Sequence, residues 1–260
     1  MSKPHVARRR FGQNFLCDPN IIQGIVNAIA PEKHDTIVEI GPGRGALTRP
    51  LLSAAGRLIV IEIDRDLARE LDLEFDSVDN FDLHLCDALK FDLTDLEIHP
   101  LRVVGNLPYN ISTPLLFHLL DARRHITDMT FMLQQEVVDR MVAEPGSKEY
   151  GRLSVMVQYH CLVERLMTVP PGAFRPQPKV MSAIVRLQPR PETGKLSVQN
   201  ELELAYIVKA AFSARRKTLR NNLRDIMSVE QISAACIDPG IRAEQLSVGD
   251  FIALLEQYST

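Results

Sequence analysis

The sequence predicts an α/β domain with a mostly parallel, doubly wound sheet, followed by a small all-helical domain. Short apolar runs rich in valine and isoleucine alternate with helical segments between positions 19 and 134, which is typical of βαβ units. A glycine-rich turn follows the first apolar run, where such folds bind ligands. Beyond a segment at 188–194 that contains two prolines and a glycine, the pattern is helical. We therefore expect domains at 1–190 and 191–260.

The individual elements follow from local patterns. Asp18-Pro19 and Thr113-Pro114 each predict a helix start, because a capping side chain precedes a proline that fits the first helical turn. Helical spacing of apolar residues follows each pair, and further helices are predicted after the first and second strands. The predicted strands, of which the last should close the series, are 36–41, 57–64, 81–87, 101–108 and 129–134.

Composition excludes several classes of protein. The chain has 260 residues, of which 45% are hydrophobic and 24% charged, so it is neither disordered nor fibrous. No apolar run approaches the ~18 residues of a transmembrane helix, and the basic N-terminus lacks the apolar segment of a signal peptide. The four cysteines have neither zinc nor redox spacing. We expect a cytoplasmic protein with reduced thiols, no metal site and no membrane partner.

Charge is distributed unevenly along the chain. The net charge is −3, but residues 61–100 hold thirteen acidic and three basic residues, which leaves the remainder at +7. The segment 209–224 has six basic residues and no acidic one. If it is one continuous helix, most of these cations share one side and favour phosphate binding, although a merely solvated face is the plainer alternative. The candidates for binding a phosphate-rich polyanion are Lys209, Arg215, Arg216, Lys217, Arg220 and Arg224.

The glycine-rich turn predicts a nucleotide-like ligand. Gly41 and Gly43 lie between a strand and a helix, where glycine lets the backbone approach a ligand. Glu62 ends the next strand and is placed to accept hydrogen bonds from ribose hydroxyls, and Asp87 ends the third strand, near an adenine amino group. Because the turn also fits the dinucleotide fingerprint, it does not separate an NAD site from an S-adenosylmethionine site.

The tetrapeptide Asn106–Tyr109 follows the fourth strand and suits methylation of a planar exocyclic amine. The Asn106 side-chain oxygen and the backbone carbonyl of Leu107 or Pro108 can accept the two amine hydrogens, which favours the more nucleophilic, pyramidal nitrogen of the transition state. Pro108 stiffens the loop, and Tyr109 offers a face for base stacking. The alternative is an ordinary strand-to-helix loop.

Several motifs in order resemble the ribosomal RNA adenine N6,N6-dimethyltransferases, most closely the bacterial enzymes of the small subunit. The resemblance covers residues 11 to about 224 and is specific as a combination, whereas the glycine turn alone is not. The matching segments are FGQNFL (11–16), EIGPGRGALT (39–48), NLPYNIST (106–113), FRPQPKV (174–180) with Ser182, and FSARRKT (212–218).

The resemblance implies a Rossmann-like class I methyltransferase fold with a small C-terminal helical domain. It also implies that Phe174 stacks on the target adenine opposite Tyr109, and we expect Arg175 to add a phosphate contact. The implied reaction is dimethylation of two adjacent adenines in a loop near the 3′ end of 16S ribosomal RNA, in an assembling small subunit, by a protein we expect to be monomeric. The implied S-adenosylmethionine contacts are Asn14, Leu16, Gly41, Gly43, Glu62, Asp87 and Asn106.

Three alternatives stay open at the level of sequence. A large-subunit methylase that confers antibiotic resistance shares the motifs, but its relatives tend to be strongly basic overall. An NAD(P)-linked oxidoreductase would use the same glycine turn. A non-enzymatic assembly or transcription factor could share the fold, although the intact Asn106–Tyr109 motif favours an active enzyme.

Overall fold

The computed structural model describes residues 13–98, 100–109, 111–191 and 197–258. The chain forms two compact units. The first combines the residues up to Val138 with Glu164–Pro189, and the second combines Asp139–Val163 with the residues from Arg190 onward. This division differs from the two consecutive segments expected from the sequence, because the helical stretch within 139–163 packs against helices that come after residue 190.

The first unit is built on a seven-stranded mixed sheet and a separate pair of strands. The strands are β1 (Phe15–Leu16), β2 (Thr36–Ile40), β3 (Arg57–Glu62), β4 (Phe81–Leu85), β5 (Leu101–Asn106), β6 (Ile126–Gln134), β7 (Cys161–Val169), β8 (Phe174–Arg175) and β9 (Ser182–Pro189). The strand order of the large sheet is β4-β3-β2-β5-β6-β9-β7. Strands β2 to β6 pair in parallel, and β9 pairs antiparallel with β6. The separate antiparallel pair joins β1 and β8.

The predicted α/β class with a mostly parallel sheet is confirmed, and so are the five predicted strands. The expectation that 129–134 closes the series is wrong. Beyond β6 the sheet continues with β9, whose Ser182 lies opposite Gln134, and then with β7. β9 pairs antiparallel with β6 and follows β7 and β8 with no α-helix in between, so it lacks the βα alternation that revealed the parallel strands.

In the first unit, α1 (Pro19–Ile29) precedes β2, and three helices connect successive parallel strands: α2 (Thr48–Ala54), α3 (Arg65–Phe75) and α4 (Ser112–Asp121). The predicted cap of α1 is confirmed, since the Asp18 carboxylate accepts hydrogen bonds from two backbone amides of the first turn. The predicted start of α4 is wrong: Ile111 is the N-cap and Pro114 lies within the first turn. Proline is tolerated there because the amides of a first helical turn have no partner inside the helix.

The remaining helices are α5 (Gln135–Val142), which begins in the first unit, and α6 (Arg152–His160), α7 (Val198–Ala211), α8 (Leu219–Leu223), α9 (Val229–Ala234) and α10 (Val248–Tyr258) of the second. The continuous helix expected over 209–224 is absent, because α7 ends at Ala211 and α8 begins at Leu219. The Asn222 amide donates to the carbonyls of Ala211 and Ala214, which stabilises the turn between the two helices.

Arg102 on β5 braces the end of the sheet where the strands begin. Its guanidinium binds the carboxylates of Asp35 and Asp128 at 2.8 Å and the carbonyls of Ile29 and Ala30 at the C-terminus of α1. Burial by itself raises the pKa of Asp35, but the hydrogen bond from Arg102 helps to hold it below its usual value. Arg102 therefore connects the amino ends of the strands to the C-terminus of α1. In the part of the chain described here, no helix is long and apolar enough to cross a membrane.

Candidate active site

A cleft opens at the carboxyl ends of the strands, where β2 lies between β3 and β5. From β2 the chain continues to β3 on one side, whereas β5, which comes later in the chain, lies on the other side of β2. Doubly wound sheets bind ligands at such a reversal of strand order. The cleft runs over the carboxyl ends of β2, β3 and β5. Its lining includes the following predicted site residues: Asn14, Leu16, Gly41, Gly43, Glu62, Asp87, Asn106, Leu107, Pro108 and Tyr109.

The glycine turn has a backbone conformation that other residues rarely adopt. Gly41, Gly43 and Gly45 have φ angles of 68°, 58° and 76°. A Cβ atom on Gly43 would also lie 3.1 Å from the Phe15 ring. The turn therefore depends on glycine for its shape and for the close packing of the N-terminal segment.

Glu62 is held in place at the end of β3. It is 5% exposed, and its carboxylate accepts a hydrogen bond of 2.8 Å from the Asp64 backbone amide. Burial raises the pKa of Glu62, while hydrogen bonds from the backbone amides of Asp64 and Gly43 oppose the rise. A fixed acceptor at this edge of the cleft matches the predicted ribose contact.

Glu39 is a cleft residue to which the sequence analysis gave no role. It is 2% exposed at the end of β2, and its Oε2 atom has no hydrogen-bond partner among the described residues. Burial raises the pKa of Glu39 to about 7, and the nearby Glu62 adds to the rise. The Thr48 hydroxyl interacts with this carboxyl and opposes the rise. A carboxylate one residue before a glycine turn was the available signal.

Asp87 lies at the far side of the cleft, after β4. Its Oδ1 atom accepts a hydrogen bond of 3.0 Å from the Leu89 amide, which fixes the side chain in a local turn. The Cys86 amide binds the Glu62 carbonyl, so this loop is attached to the end of β3. The arrangement brings Asp87 and Glu62 to one cleft, as the sequence predicted.

The N-terminal segment 13–16 crosses from one side of the cleft to the other. The Gln13 amide donates to Asp64 at 3.0 Å, and Asn14 supplies its backbone carbonyl to Asn106. Leu16 is buried and pairs with Phe174 across the β1–β8 ladder. Residues 11 and 12 of the FGQNFL motif, and the basic cluster at 8–10, lie outside the described residues.

The Asn106 side chain has a defined orientation. Its Nδ2 atom donates to the Asn14 carbonyl at 3.1 Å, which leaves Oδ1 as the acceptor end of the amide. Pro108 offers its carbonyl to the Ile111 amide at 3.1 Å, whereas no backbone or side-chain donor in the described part of the chain binds the carbonyl of Leu107. Of the two carbonyls that the sequence left open, that of Pro108 thus already accepts a backbone hydrogen bond.

Tyr109 is half-buried beside these acceptors. Its hydroxyl forms a hydrogen bond of 2.8 Å with the Ser182 hydroxyl at the start of β9. Burial raises the pKa of Tyr109 above its usual value, so the phenol stays neutral at physiological pH. The ring therefore lines the cleft as an uncharged aromatic surface, which is what base stacking requires.

The structure does not bring Phe174 to the cleft, contrary to the expectation that it stacks opposite Tyr109. Phe174 is 0% exposed and packs in the core with residues of α1 and with Ala173. Its place in β8 explains this, because pairing with Leu16 turns the aromatic side chain into the core. An adjacent cation, Arg175, is exposed, although its guanidinium binds the carbonyls of Gly172 and Phe174.

The predicted RNA-binding residues of the second unit fall into two groups. The guanidinium of Arg215 is engaged by Glu244 at 2.9 Å and by the Lys148 carbonyl at 2.7 Å, so this arginine has a structural role. All six predicted residues are exposed. The other five lie on the last turn of α7, on the connecting turn and on or next to α8: Lys209, Arg216, Lys217, Arg220 and Arg224.

The raised pKa of Glu39 predicts a pH dependence of stability. The folded protein holds the Glu39 proton more tightly than the unfolded chain, so this contribution is complete below about pH 4.5 and is lost as the pH rises through about 7. Between pH 5 and pH 8, the free energy of unfolding should fall less in Glu39→Gln than in the ligand-free wild type, as urea titrations would measure. Equal falls in the two proteins would contradict this assignment.

Comparison with known proteins agrees with the geometry. A family model described as ribosomal RNA adenine dimethylase matches residues 4–260. Proteins called ribosomal RNA small subunit methyltransferase A are similar over nearly the whole chain. The one from Aromatoleum aromaticum is 56% identical over 96% of this chain and 93% of its own length. The one from Pseudomonas aeruginosa is 54% identical over 97% and 95%.

Two solved structures share the fold over nearly all of the chain. A dimethyladenosine transferase from Plasmodium falciparum is 28% identical with a TM-score of 0.78, covering 94% of this chain and 97% of that one. The 23S rRNA methyltransferase ErmE is 25% identical with a TM-score of 0.71, covering 95% and 100%. The predicted Rossmann-like methyltransferase fold is confirmed, and the chain belongs to the ribosomal RNA adenine dimethylase family.

Proposed function

We propose that this enzyme transfers methyl groups from S-adenosylmethionine to the N6 amines of two adjacent adenines in a loop near the 3′ end of 16S ribosomal RNA. The observation that carries the proposal is the fixed amide of Asn106, whose Nδ2 atom is held by Asn14 beside the glycine turn. The names of the relatives at 51–56% identity support the small subunit as the target.

The lining of the cleft fits the proposed cofactor. Glu62 would accept hydrogen bonds from the ribose hydroxyls, Asp87 would accept one from the adenine amine, and the Glu39 carboxyl would bind the ammonium group. The cofactor supplies the electrophilic methyl group. Three closely placed acidic side chains favour a ligand that carries positive charge, which sets this cleft apart from a phosphate-binding dinucleotide site.

The loop after β5 binds the amine that accepts the methyl group. The lone pair of an adenine amine is delocalised into the ring, so the amine is a weak nucleophile. The Oδ1 atom of Asn106 and the carbonyl of Leu107 accept its two hydrogens, and these bonds strengthen as positive charge develops on nitrogen. Tyr109 orients the base by stacking. The chain needs no strong general base, because the proton becomes acidic once the nitrogen is alkylated.

Binding of the RNA is proposed for the exposed cations of the second unit, with Arg215 holding the turn rather than contacting phosphate. An RNA loop suits this enzyme because its unstacked bases reach a cleft at little cost. We further propose that the enzyme acts as a cytoplasmic monomer on a small subunit that is still assembling.

The direct test is to incubate the protein with labelled S-adenosylmethionine and small or large ribosomal subunits that lack adenine dimethylation, and to map the modified base. We expect label in two adjacent adenines near the 3′ end of 16S RNA. Label in large-subunit RNA would favour the resistance-methylase alternative. Binding of NADH in place of S-adenosylhomocysteine would favour the oxidoreductase.

Asn106→Ala should slow methyl transfer while sparing the fold. Loss of one preorganised acceptor is expected to cost about 10²–10³ in rate, by analogy with the loss of an oxyanion-hole donor. Single-turnover rates at saturating S-adenosylmethionine measure the chemical step, because the same side chain lines the cofactor cleft. Since Asn106 also binds Asn14, thermal unfolding is recorded in parallel. A wild-type rate, or a variant that does not fold, would refute the catalytic role.

Replacing Arg216, Lys217 and Arg220 together with glutamine should weaken RNA binding and flatten its salt dependence. Each phosphate that the protein no longer neutralises should reduce the log–log slope by about 0.7–0.9. Affinity for S-adenosylhomocysteine should not change, since none of the three lines the cleft. Arg242→Gln is the control, because it removes a different exposed cation of the second unit. It tests whether the loss of any positive charge in this unit weakens RNA binding. An unchanged slope in the triple variant would assign these residues to solvated surface.

A further inference from the structure

We propose that Arg49 and Glu74 are positioning residues for the cofactor: together they form a clamp, the Arg49–Glu74 clamp, that holds the glycine turn in its binding conformation. The inference rests on the proposed function only in taking the cleft as a cofactor site. Neither residue lines the cleft.

A single guanidinium connects three parts of the first unit. The Nε and Nη2 atoms of Arg49 on α2 bind the two carboxylate oxygens of Glu74 on α3 at 2.6 and 2.7 Å. Its Nη1 atom donates to the carbonyls of Arg44 and Gly45 at 2.8 and 2.9 Å. The bidentate pair fixes the plane of the guanidinium, so the direction in which Nη1 donates is fixed as well.

The turn needs such a restraint. Its three glycines at positive φ have no side chain to limit their backbone angles, so the segment has many alternative conformations. The two hydrogen bonds that Arg49 donates to the carbonyls of Arg44 and Gly45 orient these carbonyls toward α2 and restrict the two peptide planes. The Gly43 amide in the same turn donates to Glu62, so a shift of these planes disturbs the proposed ribose acceptor.

The first unit also contains an ion pair that serves as a control. Arg57 and Asp82 form an ion pair at 2.6 Å, with side chains 44% and 38% exposed, against 50% and 39% for Arg49 and Glu74. Arg57 begins β3 and Asp82 lies near the start of β4, at the end of the sheet away from the cleft. The two pairs are alike in their shortest N–O distance and in exposure. They differ in that Arg57 binds Asp82 through Nε alone, and only the Arg49 pair is bidentate and reaches the turn.

The experiment measures the affinity for S-adenosylhomocysteine by calorimetry in the full-length protein. Arg49→Met and Arg49→Lys should each weaken binding about 5- to 30-fold. The lysine variant separates geometry from charge, because lysine keeps the positive charge near Glu39 but lacks the planar fork. Glu74→Gln should weaken binding less, and the double variant Arg49→Met/Glu74→Gln no more than Arg49→Met alone. Arg57→Met should leave the affinity unchanged.

Hydrogen exchange in the ligand-free protein provides a readout that does not depend on binding. Amides of residues 44–47 should exchange faster in Arg49→Lys and Glu74→Gln, and at the wild-type rate in Arg57→Met. Wild-type affinity and wild-type exchange in Arg49→Lys would overturn the clamp. A wild-type protein that does not bind S-adenosylhomocysteine would instead overturn the proposed cofactor, so the two failures can be told apart. If the Arg49 variants do not fold, Glu74→Gln decides the question.

Discussion

The close approach of β2 and β5 is the constraint on which the site depends. A Cβ atom on Gly105 would lie 2.5 Å from the Ile40 carbonyl and 3.0 Å from the Leu107 side chain, so only glycine fits between these strands. Ile40 is followed directly by the glycine turn, and Gly105 is followed directly by Asn106. The contact between the strands therefore places the proposed cofactor turn beside the proposed methyl-acceptor loop.

Other parts of the first unit keep these two loops in place. The Leu107 amide binds the Met132 carbonyl of β6, and β9 brings Ser182 to the Tyr109 hydroxyl. On the other side, the N-terminal segment links Asp64 to Asn106. At the opposite end of the sheet, Arg102 ties the starts of the strands to α1. The residues with a proposed role in binding or catalysis therefore lie at the carboxyl ends of the strands.

Much of the site could be predicted because it follows strand ends. The glycine turn, Glu62, Asp87 and Asn106 each lie at or just beyond the end of a recognisable parallel strand. Parallel strands bring their carboxyl ends together. Phe174 could not be placed in this way, since β8 has two residues and no periodic pattern. The segment 209–224 is not one continuous helix, because hydrogen bonds from the Asn222 side chain stabilise a turn within it. Such a contact outweighs local helix propensity. Glu39 was missed because burial, which the sequence pattern does not reveal for a single side chain, is the main cause of its raised pKa.

The measurement that tests this account most directly is made on Gly105→Ala, with Gly172→Ala as the control because a Cβ atom there meets nothing within 4 Å. Both variants are assayed at a temperature at which they are folded, for S-adenosylhomocysteine affinity and for single-turnover methyl transfer. The account predicts that Gly105→Ala loses both activities together, since one strand contact positions both loops, while Gly172→Ala keeps both. A folded Gly105→Ala protein that binds and methylates like the wild type would contradict it.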